Sequence, residues 1–233
     1  MLSPLARRVV DAYGGEERWR SAQAVHCMIS AHGFAFLSKM RRGIRDVRFE
    51  AQVWEPKITM HPLDRRGSRA VFEGGSVRVE DAAGKVVASR AEPRRHFPYG
   101  RRSFWWDRLD AAYFSSYASW NYLTLPALLL RDDIEWTQLS ETSLQARFPP
   151  RLPTHCELQR FHFYPETALL RQHDYTAEVF GGWAKAANVV LEHGSWEGIP
   201  YPSRRRVTPR RPDGRPRAFP LLVGIRITDW GLF

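Results

Sequence analysis

The chain has 233 residues, of which 43% are hydrophobic, 13% aromatic and 26% charged. These proportions exclude an intrinsically disordered chain and are typical of a globular protein with a sizeable core. The two cysteines cannot build a disulfide framework, and the longest strongly apolar stretch, 123–130, is too short for a membrane span. No export signal is visible, which predicts a cytoplasmic protein, or a periplasmic one if a leader has been removed.

The net charge is +10, and only four of the 35 basic residues are lysines. No recognised nucleic-acid-binding motif accompanies the charge, so specific nucleic-acid recognition is not predicted. The basic residues are densest in 204–217, where prolines and Asp213-Gly214 interrupt them. This segment is either a solvated turn or a site for an anionic partner. The candidate residues for that partner are Arg204, Arg205, Arg206, Arg210 and Arg211.

Hydrophobic periodicity divides the chain into helical and strand-forming segments. In chain order these are a helix over 4–21, a β-meander over 24–90, a helical insert over 104–130 and a second meander over 134–230. The helix is capped by Ser3 and interrupted at Gly14-Gly15. The first strand is expected to run from Ala24 to Ser38. Turns of two to five residues join the strands, and such turns connect only antiparallel neighbours.

The sequence therefore predicts one domain over 1–233, mainly β with α+β character. A single curved antiparallel sheet forms a half-open β-barrel around the N-terminal helix and the aromatic-rich helical insert. An insert that is hydrophobic on all sides must be covered on all sides, and a curved sheet can do this.

Two short segments carry a resemblance to a known family. Residues 11–19, Asp-Ala-Tyr-Gly-Gly-Glu-Glu-Arg-Trp, followed by a strand, resemble the opening of many uncharacterised bacterial proteins with the LolA/LolB-like fold. The segment 197–206, which contains Gly-Ile-Pro-Tyr-Pro-Ser, is similar to an edge segment of such proteins. The order of elements agrees over most of the chain. The resemblance implies a half-barrel whose concave side holds an acyl chain or another hydrophobic ligand, and it transfers no functional residue.

Aromatic residues are concentrated in the helical insert, where eight of them lie within 104–122. Tyrosine and tryptophan combine a large apolar body with a polar group, which suits the mixed surface of a small ligand. The same residues are also ordinary core material. The insert supplies five candidate ligand-binding residues: Trp105, Trp106, Tyr113, Tyr117 and Trp120.

A second candidate site lies on the predicted hairpin 154–164 and 169–179. If its turn is centred on Pro165-Glu166-Thr167, Gln159 faces His173 and Glu157 faces Tyr175. Neither strand face is then cleanly apolar, which indicates a polar-lined concavity or an exposed hairpin. His155, Gln159, His173 and Tyr175 are the candidate ligand-binding residues of this hairpin.

The favoured function is a binding protein for a hydrophobic or aromatic small molecule or a lipid. The alternative is a small enzyme that uses His173 with Glu157 or Asp174, and Tyr175, for acid–base chemistry on a bound hydrophobic substrate. A weaker alternative is an interaction module that presents the arginines of 204–217 to an anionic surface. No spacing defines a metal site, and no cofactor is predicted.

Overall fold

The computed structural model describes residues 2–233 and contains one antiparallel sheet of thirteen strands. The strands are β1 Ala24–His32, β2 Ile44–Gln52, β3 Ile58–His61, β4 Arg69–Glu73, β5 Ser76–Glu80, β6 Val86–Ala91, β7 Glu135–Ser140, β8 Ser143–Arg147, β9 Leu158–Phe163, β10 Leu170–Thr176, β11 Lys185–Trp196, β12 Ile199–Pro209 and β13 Val223–Leu232. The helices are α1 Pro4–Ala12, α2 Glu16–Ser21, α3 Phe34–Leu37, α4 Arg108–Leu123 and α5 Leu125–Leu129.

The sheet consists of two meanders joined through its first and last strands. Its order is β6-β5-β4-β3-β2-β1-β13-β12-β11-β10-β9-β8-β7, so β1 pairs with β13, and β6 and β7 are the two edges. Because the edges do not pair with each other, the curved sheet stays open. The predicted mainly β architecture, with one curved antiparallel sheet in a half-open barrel, is confirmed.

Local chemistry explains where the N-terminal helices begin and end. Ser3 caps α1, because its hydroxyl accepts a hydrogen bond from the backbone N–H of Ala6 at 3.3 Å. Gly14 and Gly15 have φ values of 99° and 89°, which glycine adopts at little cost, and they separate α1 from α2. None of the helices within 2–233 has the length and apolarity that crossing a bilayer would demand.

The first strand is shorter than the sequence pattern indicates. It ends at His32, and the predicted continuation to Ser38 is wrong because Phe34–Leu37 form α3. Gly33 has a φ of 135° and lies so close to the chain before β13 that an added Cβ would be 2.4 Å from the carbonyl oxygen of Leu222. This close approach requires glycine and turns the chain out of the sheet.

Helix α4 lies in the concave side of the sheet, where fourteen of its sixteen residues are buried. It begins at Arg108 rather than at the predicted residue 104, because Asp107 is its N-cap and forms a reciprocal capping box with Asp110. Arg90 and Arg101 form ion pairs with both carboxylates, and Arg102 forms one with Asp110. Hydrogen bonds from Arg90 and from the Asp110 backbone outweigh burial and lower the pKa of Asp107.

The register of the β9–β10 hairpin differs from the predicted one by two residues. Phe161, not Gln159, pairs with His173. The connection is longer than expected, since it occupies residues 164–169, and a bulge follows Leu170. A shift of two residues keeps the side chains of Leu158–Phe163 and of 172–176 on their predicted faces, because strand residues alternate with a period of two.

Candidate functional site

A pocket of about 550 Å³ opens at one end of the barrel. We call it the mouth pocket. Its outer wall carries three exposed aromatic residues, Phe34, Trp183 and Phe219, and its floor is formed by Phe114, His155 and Tyr175. A largely apolar concavity of this size with a few polar groups is typical of a small-molecule site.

The polar floor of the mouth pocket is a hydrogen-bonded cluster of buried side chains. The hydroxyl of Tyr122 is 2.8 Å from Nε2 of His155 and 2.8 Å from the hydroxyl of Tyr175. The rings of His155 and Tyr175 stack with their centroids 3.8 Å apart. Tyr117 lies on the other side, with its hydroxyl 3.4 Å from Nδ1 of His155. These contacts hold both floor residues in one orientation.

The cluster is uncharged at neutral pH. Burial, together with the charge of Arg94, lowers the pKa of His155 well below its usual value. Burial raises the pKa of Tyr122 to about 12 and that of Tyr175 well above its usual value. The floor therefore offers hydrogen-bonding groups to a ligand but no ionised side chain.

A second, smaller cavity of about 40 Å³ lies between α4 and strands β1, β2 and β13, and we call it the inner cavity. Its walls are mainly apolar and include Ile29 and Ile225. Phe114, Tyr175 and Val223 line both the mouth pocket and the inner cavity. These three side chains form the boundary between the two spaces.

The mouth pocket has a positive lining. Lys39, Lys185, Arg210 and Arg217 contribute to it, and none of its described lining residues is acidic. The Lys39 ammonium donates a hydrogen bond to the carbonyl of Ser103 at 2.6 Å and lies 5.0 Å from the ring centre of Phe180. Burial lowers the pKa of Lys39. This lining disfavours a cationic ligand.

Further polar side chains are buried beside the floor on strands β11 and β12. The guanidinium of Arg205 donates to the carbonyl of Tyr122 at 3.3 Å and lies over its ring, but its Nε and one terminal nitrogen have no partner in the described structure. Both polar atoms of the Asn188 side chain likewise have no hydrogen-bond partner within 3.5 Å in the described structure. Burial lowers the pKa of Arg205. This part of the concave side is polar where the rest is apolar.

Four of the predicted site residues come together on the concave face of the hairpin. His173 is 2.7 Å from the Oε1 of Gln159, which in turn donates through Nε2 to the carbonyl of Cys156 at 2.8 Å. Tyr175 and His155 complete the group. Of these four, His155 and Tyr175 line the mouth pocket. Gln159 and His173 lie in the buried layer beside it.

The carboxylates of the alternative enzyme hypothesis do not join this group. Glu157 is exposed and forms an ion pair with Arg147. Asp174 lies on the opposite face of β10, where it contacts His162 at 3.1 Å and Arg210 at 3.6 Å. The prediction that His173 lies together with Glu157 or Asp174 is therefore wrong. Glu157 precedes the first residue of β9, and Asp174 alternates with His173 along β10.

The predicted aromatic residues of the helical insert mostly pack in the core. Trp106, Tyr117 and Trp120 are fully buried, and the indole N–H of Trp120 donates to the carbonyl of Gln52 at 2.8 Å. Tyr113 packs against Phe72 and Phe97, and also lines a separate surface pocket. Trp105 precedes the helix, is partly exposed and stacks with Arg101. None of these five lines the mouth pocket or the inner cavity.

The arginines of 204–211 have different surroundings. Arg204 is paired with Glu192 on the surface, Arg205 is buried, and Arg206 donates to the carbonyl of Ala218. Arg210 lines the mouth pocket and Arg211 is exposed. The five side chains therefore do not form one continuous patch.

Sequence reasoning missed the aromatic residues of the outer wall. Trp183 and Phe219 each lie next to glycine or proline in the sequence, outside any helix or strand. An isolated aromatic residue in a turn is the signal that marks these two, because a turn residue rarely belongs to the core. Phe34 was missed because the sequence pattern assigned it to the first strand, whereas it begins α3.

Comparisons with known proteins support the fold. No protein-family model matches the chain, and no curated protein matches it. Among solved structures it is similar to a LolA superfamily protein from Nitrosomonas europaea, with a TM-score of 0.52 and 10% identity over 100% of this chain and 94% of that one.

Two further solved structures are similar over nearly the whole chain. A putative outer membrane lipoprotein-sorting protein domain from Vibrio parahaemolyticus gives a TM-score of 0.53 at 9% identity, over 98% of this chain and 90% of that one. A DUF1329 family protein from Desulfovibrio piger gives a TM-score of 0.50 at 11% identity, over 98% of this chain and 91% of that one. The chain has the LolA-like fold, as its N-terminal and 197–206 segments predicted.

Proposed function

We propose that the protein binds a small amphiphile, whose apolar part enters the mouth pocket and extends toward the inner cavity. The observation that carries the proposal is the shared boundary of these two spaces, which Phe114, Tyr175 and Val223 form. An apolar chain that moves these side chains apart gains the buried surface of both cavities. Burial of apolar surface supplies about 25 cal/mol for each Å² removed from water.

The polar groups of the pocket favour a ligand with a neutral or anionic polar end. Four cationic side chains line the pocket and none of its described lining residues is acidic. Because the floor is uncharged, the polar end would remain near these cations, and the apolar end would lie against Phe114 and Tyr175. The likeness in fold to a protein named for lipoprotein sorting supports a lipidic ligand for this chain as well.

The test compares amphiphiles that have straight chains of twelve carbons and polar ends of opposite charge. Titration calorimetry is expected to detect dodecanoate, and to find dodecyltrimethylammonium weaker by about tenfold, because like charges in and near the pocket repel the cationic end. The Val223→Phe variant narrows the boundary between the cavities and is expected to weaken dodecanoate by about tenfold or more. Val86→Phe, on the exposed edge strand, is the matched control and should bind as the parent does.

Two results would overturn the proposal. One is the absence of calorimetric binding for all of dodecanoate, farnesol and dodecyltrimethylammonium by folded protein. The other is a Val223→Phe variant that is folded and binds dodecanoate with unchanged affinity. Mass spectrometry of the native protein, purified from its own host, then identifies the natural ligand.

A further inference from the structure

Four segments, one of which contains α3, surround the opening of the mouth pocket, and we call their combined outer face the mouth surface. The segments are 34–42, 101–105, 180–185 and 210–220. They are tied together around the pocket. Lys39 donates to the carbonyl of Ser103, the backbone N–H of Phe34 donates to Leu221, and that of Arg210 donates to Lys185. The mouth surface is therefore one connected region of the molecule.

The mouth surface exposes a large share of the chain's apolar side chains. Seven of the fifteen large hydrophobic residues exposed within 2–233 belong to it: Phe34, Leu37, Met40, Phe104, Trp105, Trp183 and Phe219. Trp183 is 79% exposed, Phe219 81% and Met40 75%. A monomeric soluble protein rarely leaves so many large apolar residues together in water unless they meet a partner or a membrane.

The same segments carry nearly all of the net charge. They contain ten of the 35 basic residues and one of the 25 acidic residues, Asp213, and thus nine of the ten net positive charges. Arg41, Arg42, Lys185, Arg211 and Arg217 have no carboxylate within 4 Å in the described structure. Arg101, Arg102 and Arg210 are ion-paired with carboxylates outside the four segments. The five side chains without a carboxylate partner therefore carry the positive charge that this surface offers to a partner.

We propose that the mouth surface docks the protein onto an anionic lipid membrane. Exposed aromatic and aliphatic side chains gain by insertion at the level of the lipid headgroups, where tryptophan is particularly favoured. Each Lys or Arg near an anionic membrane adds about 1 kcal/mol of attraction. Single-stranded nucleic acid would pair with the arginines and stack on the aromatic rings, but it would leave the aliphatic side chains of Leu37 and Met40 in water. The membrane accounts for both features.

Docking in this orientation would place the opening of the mouth pocket against the lipid. The pocket lies between the exposed rings of Phe34, Trp183 and Phe219, which all line it. Docking itself does not depend on the proposed ligand binding, because it rests on the outer side chains and their charge. A protein that binds vesicles but no amphiphile would contradict the proposed function and leave the docking intact.

The first test is sedimentation with sucrose-loaded vesicles of phosphatidylcholine, with and without phosphatidylglycerol. The parent protein is expected to bind the mixed vesicles about tenfold or more tightly than the neutral ones, and to release them as the salt concentration rises. The fluorescence of Trp183 should shift to the blue on binding, and the Trp183→Phe variant should lose most of that shift.

Two matched pairs of variants separate the apolar and the charged contributions. Trp183→Ser/Phe219→Ser is expected to weaken binding to mixed vesicles by about tenfold or more, because both side chains lose their insertion into the lipid. Leu139→Ser/Leu158→Ser removes two exposed apolar residues elsewhere and should have little effect. Lys185→Gln/Arg217→Gln should weaken binding about tenfold or more.

Arg20→Gln/Arg204→Gln is the charge control. It removes the same net charge from the ion pairs with Glu16 and Glu192, outside the mouth surface, and should weaken binding less than Lys185→Gln/Arg217→Gln. Equal losses of vesicle affinity in Lys185→Gln/Arg217→Gln and Arg20→Gln/Arg204→Gln would overturn the proposal, because net charge alone, and not its position, would then determine binding. So would parent protein that ignores mixed vesicles, or a Trp183→Ser/Phe219→Ser variant that binds like the parent. Tighter binding to homopolymeric RNA than to vesicles, unaffected by the serine substitutions, would assign the surface to nucleic acid instead.

Discussion

The two halves of the concave side differ in chemistry although they belong to one sheet. Over the first meander, α4 packs on side chains such as Phe49, Ile58 and Phe72, which are apolar and at most 2% exposed. Over the second meander, the equally buried layer contains His173 and Arg205 together with Gln159, Tyr175 and Asn188. We call the first the apolar half and the second the polar half, although the second also buries apolar side chains such as Leu144 and Phe161.

The difference indicates which half serves a purpose beyond folding. A buried polar group costs free energy unless it is hydrogen-bonded, and a buried charge costs more. Arg205 and Asn188 have unpartnered atoms, whereas apolar side chains of similar size would pack there without that cost. The mouth pocket opens beside this polar half, at His155 and Tyr175. The apolar half stabilises the fold, and the polar half accepts a cost in stability next to the candidate site.

The largest expected effect comes from truncating the apolar half. Phe49→Ala should lower the free energy of unfolding by about 3–5 kcal/mol, because it removes a fully buried ring and leaves a cavity. Denaturant unfolding followed by tryptophan fluorescence measures the change. Phe104→Ala, which removes an exposed ring, is the control and should lower the free energy of unfolding by less than about 0.5 kcal/mol. Similar losses in both variants would show that this half is not the stabilising core.

The polar half is expected to respond in the opposite direction. Arg205→Met should raise the free energy of unfolding by about 2 kcal/mol, because it replaces a buried guanidinium that has no carboxylate partner by an apolar chain of similar length. Arg204→Met, at an exposed ion pair, should change it by less than about 1 kcal/mol. If Arg205→Met destabilises the protein instead, the contacts of the guanidinium with Tyr122 outweigh its desolvation, and the polar half is not a cost.

Acid should weaken the polar half through its neutral histidines. The pKa of His155 is depressed in the folded state, and an unfolded histidine titrates near about 6.5. The folded state therefore binds fewer protons, and stability falls as the pH drops below about 6.5, by at most about 1.4 kcal/mol per pH unit for this residue. Stability measured from pH 7 to pH 5 should decline less steeply in His155→Phe.

The pH comparison needs a histidine outside the polar half. His61→Gln changes an exposed residue at the end of β3 and should keep the parent's slope. An unchanged slope in His155→Phe would mean that the imidazole is solvated or protonated in the folded protein. The slope is the readout, so any change in stability at pH 7 does not affect the conclusion.

The smallest effect concerns Asp107, the N-cap of α4, the helix that packs on the apolar half. The pKa of Asp107 is lowered in the folded state, so its stabilisation is present above the unfolded pKa of about 3.9 and declines as the pH falls toward the folded pKa. Asp107→Asn should lower the free energy of unfolding by about 1 kcal/mol at pH 7. The difference between parent and variant should shrink when the pH falls below about 4. Thermal unfolding at the two pH values measures it. A constant difference would show that the carboxylate charge is not what stabilises the helix.

Local patterns in the sequence were sufficient for the architecture. Alternation over β2 and β5, the interruption at Gly14-Gly15 and the hydrophobic residues on all sides of α4 each reflect a constraint that acts over a few residues. The sequence also placed His173 and Tyr175 on one face, because this depends only on the period of the strand. Helix and strand ends were less certain, as at Gly33, whose role comes from a contact with the distant residue Leu222.

The candidate site was decided by long-range contacts. The number of residues in the hairpin loop set the register of Phe161 against His173, and the strand start at Leu158 left Glu157 in solvent. Four segments that are far apart in the sequence meet only because β1 pairs with β13 and joins the two meanders. Sequence alone thus determined which side chains are apolar, charged or alternating. Only the tertiary structure decided which of them share a pocket, because that depends on chain closure over distances that no local pattern records.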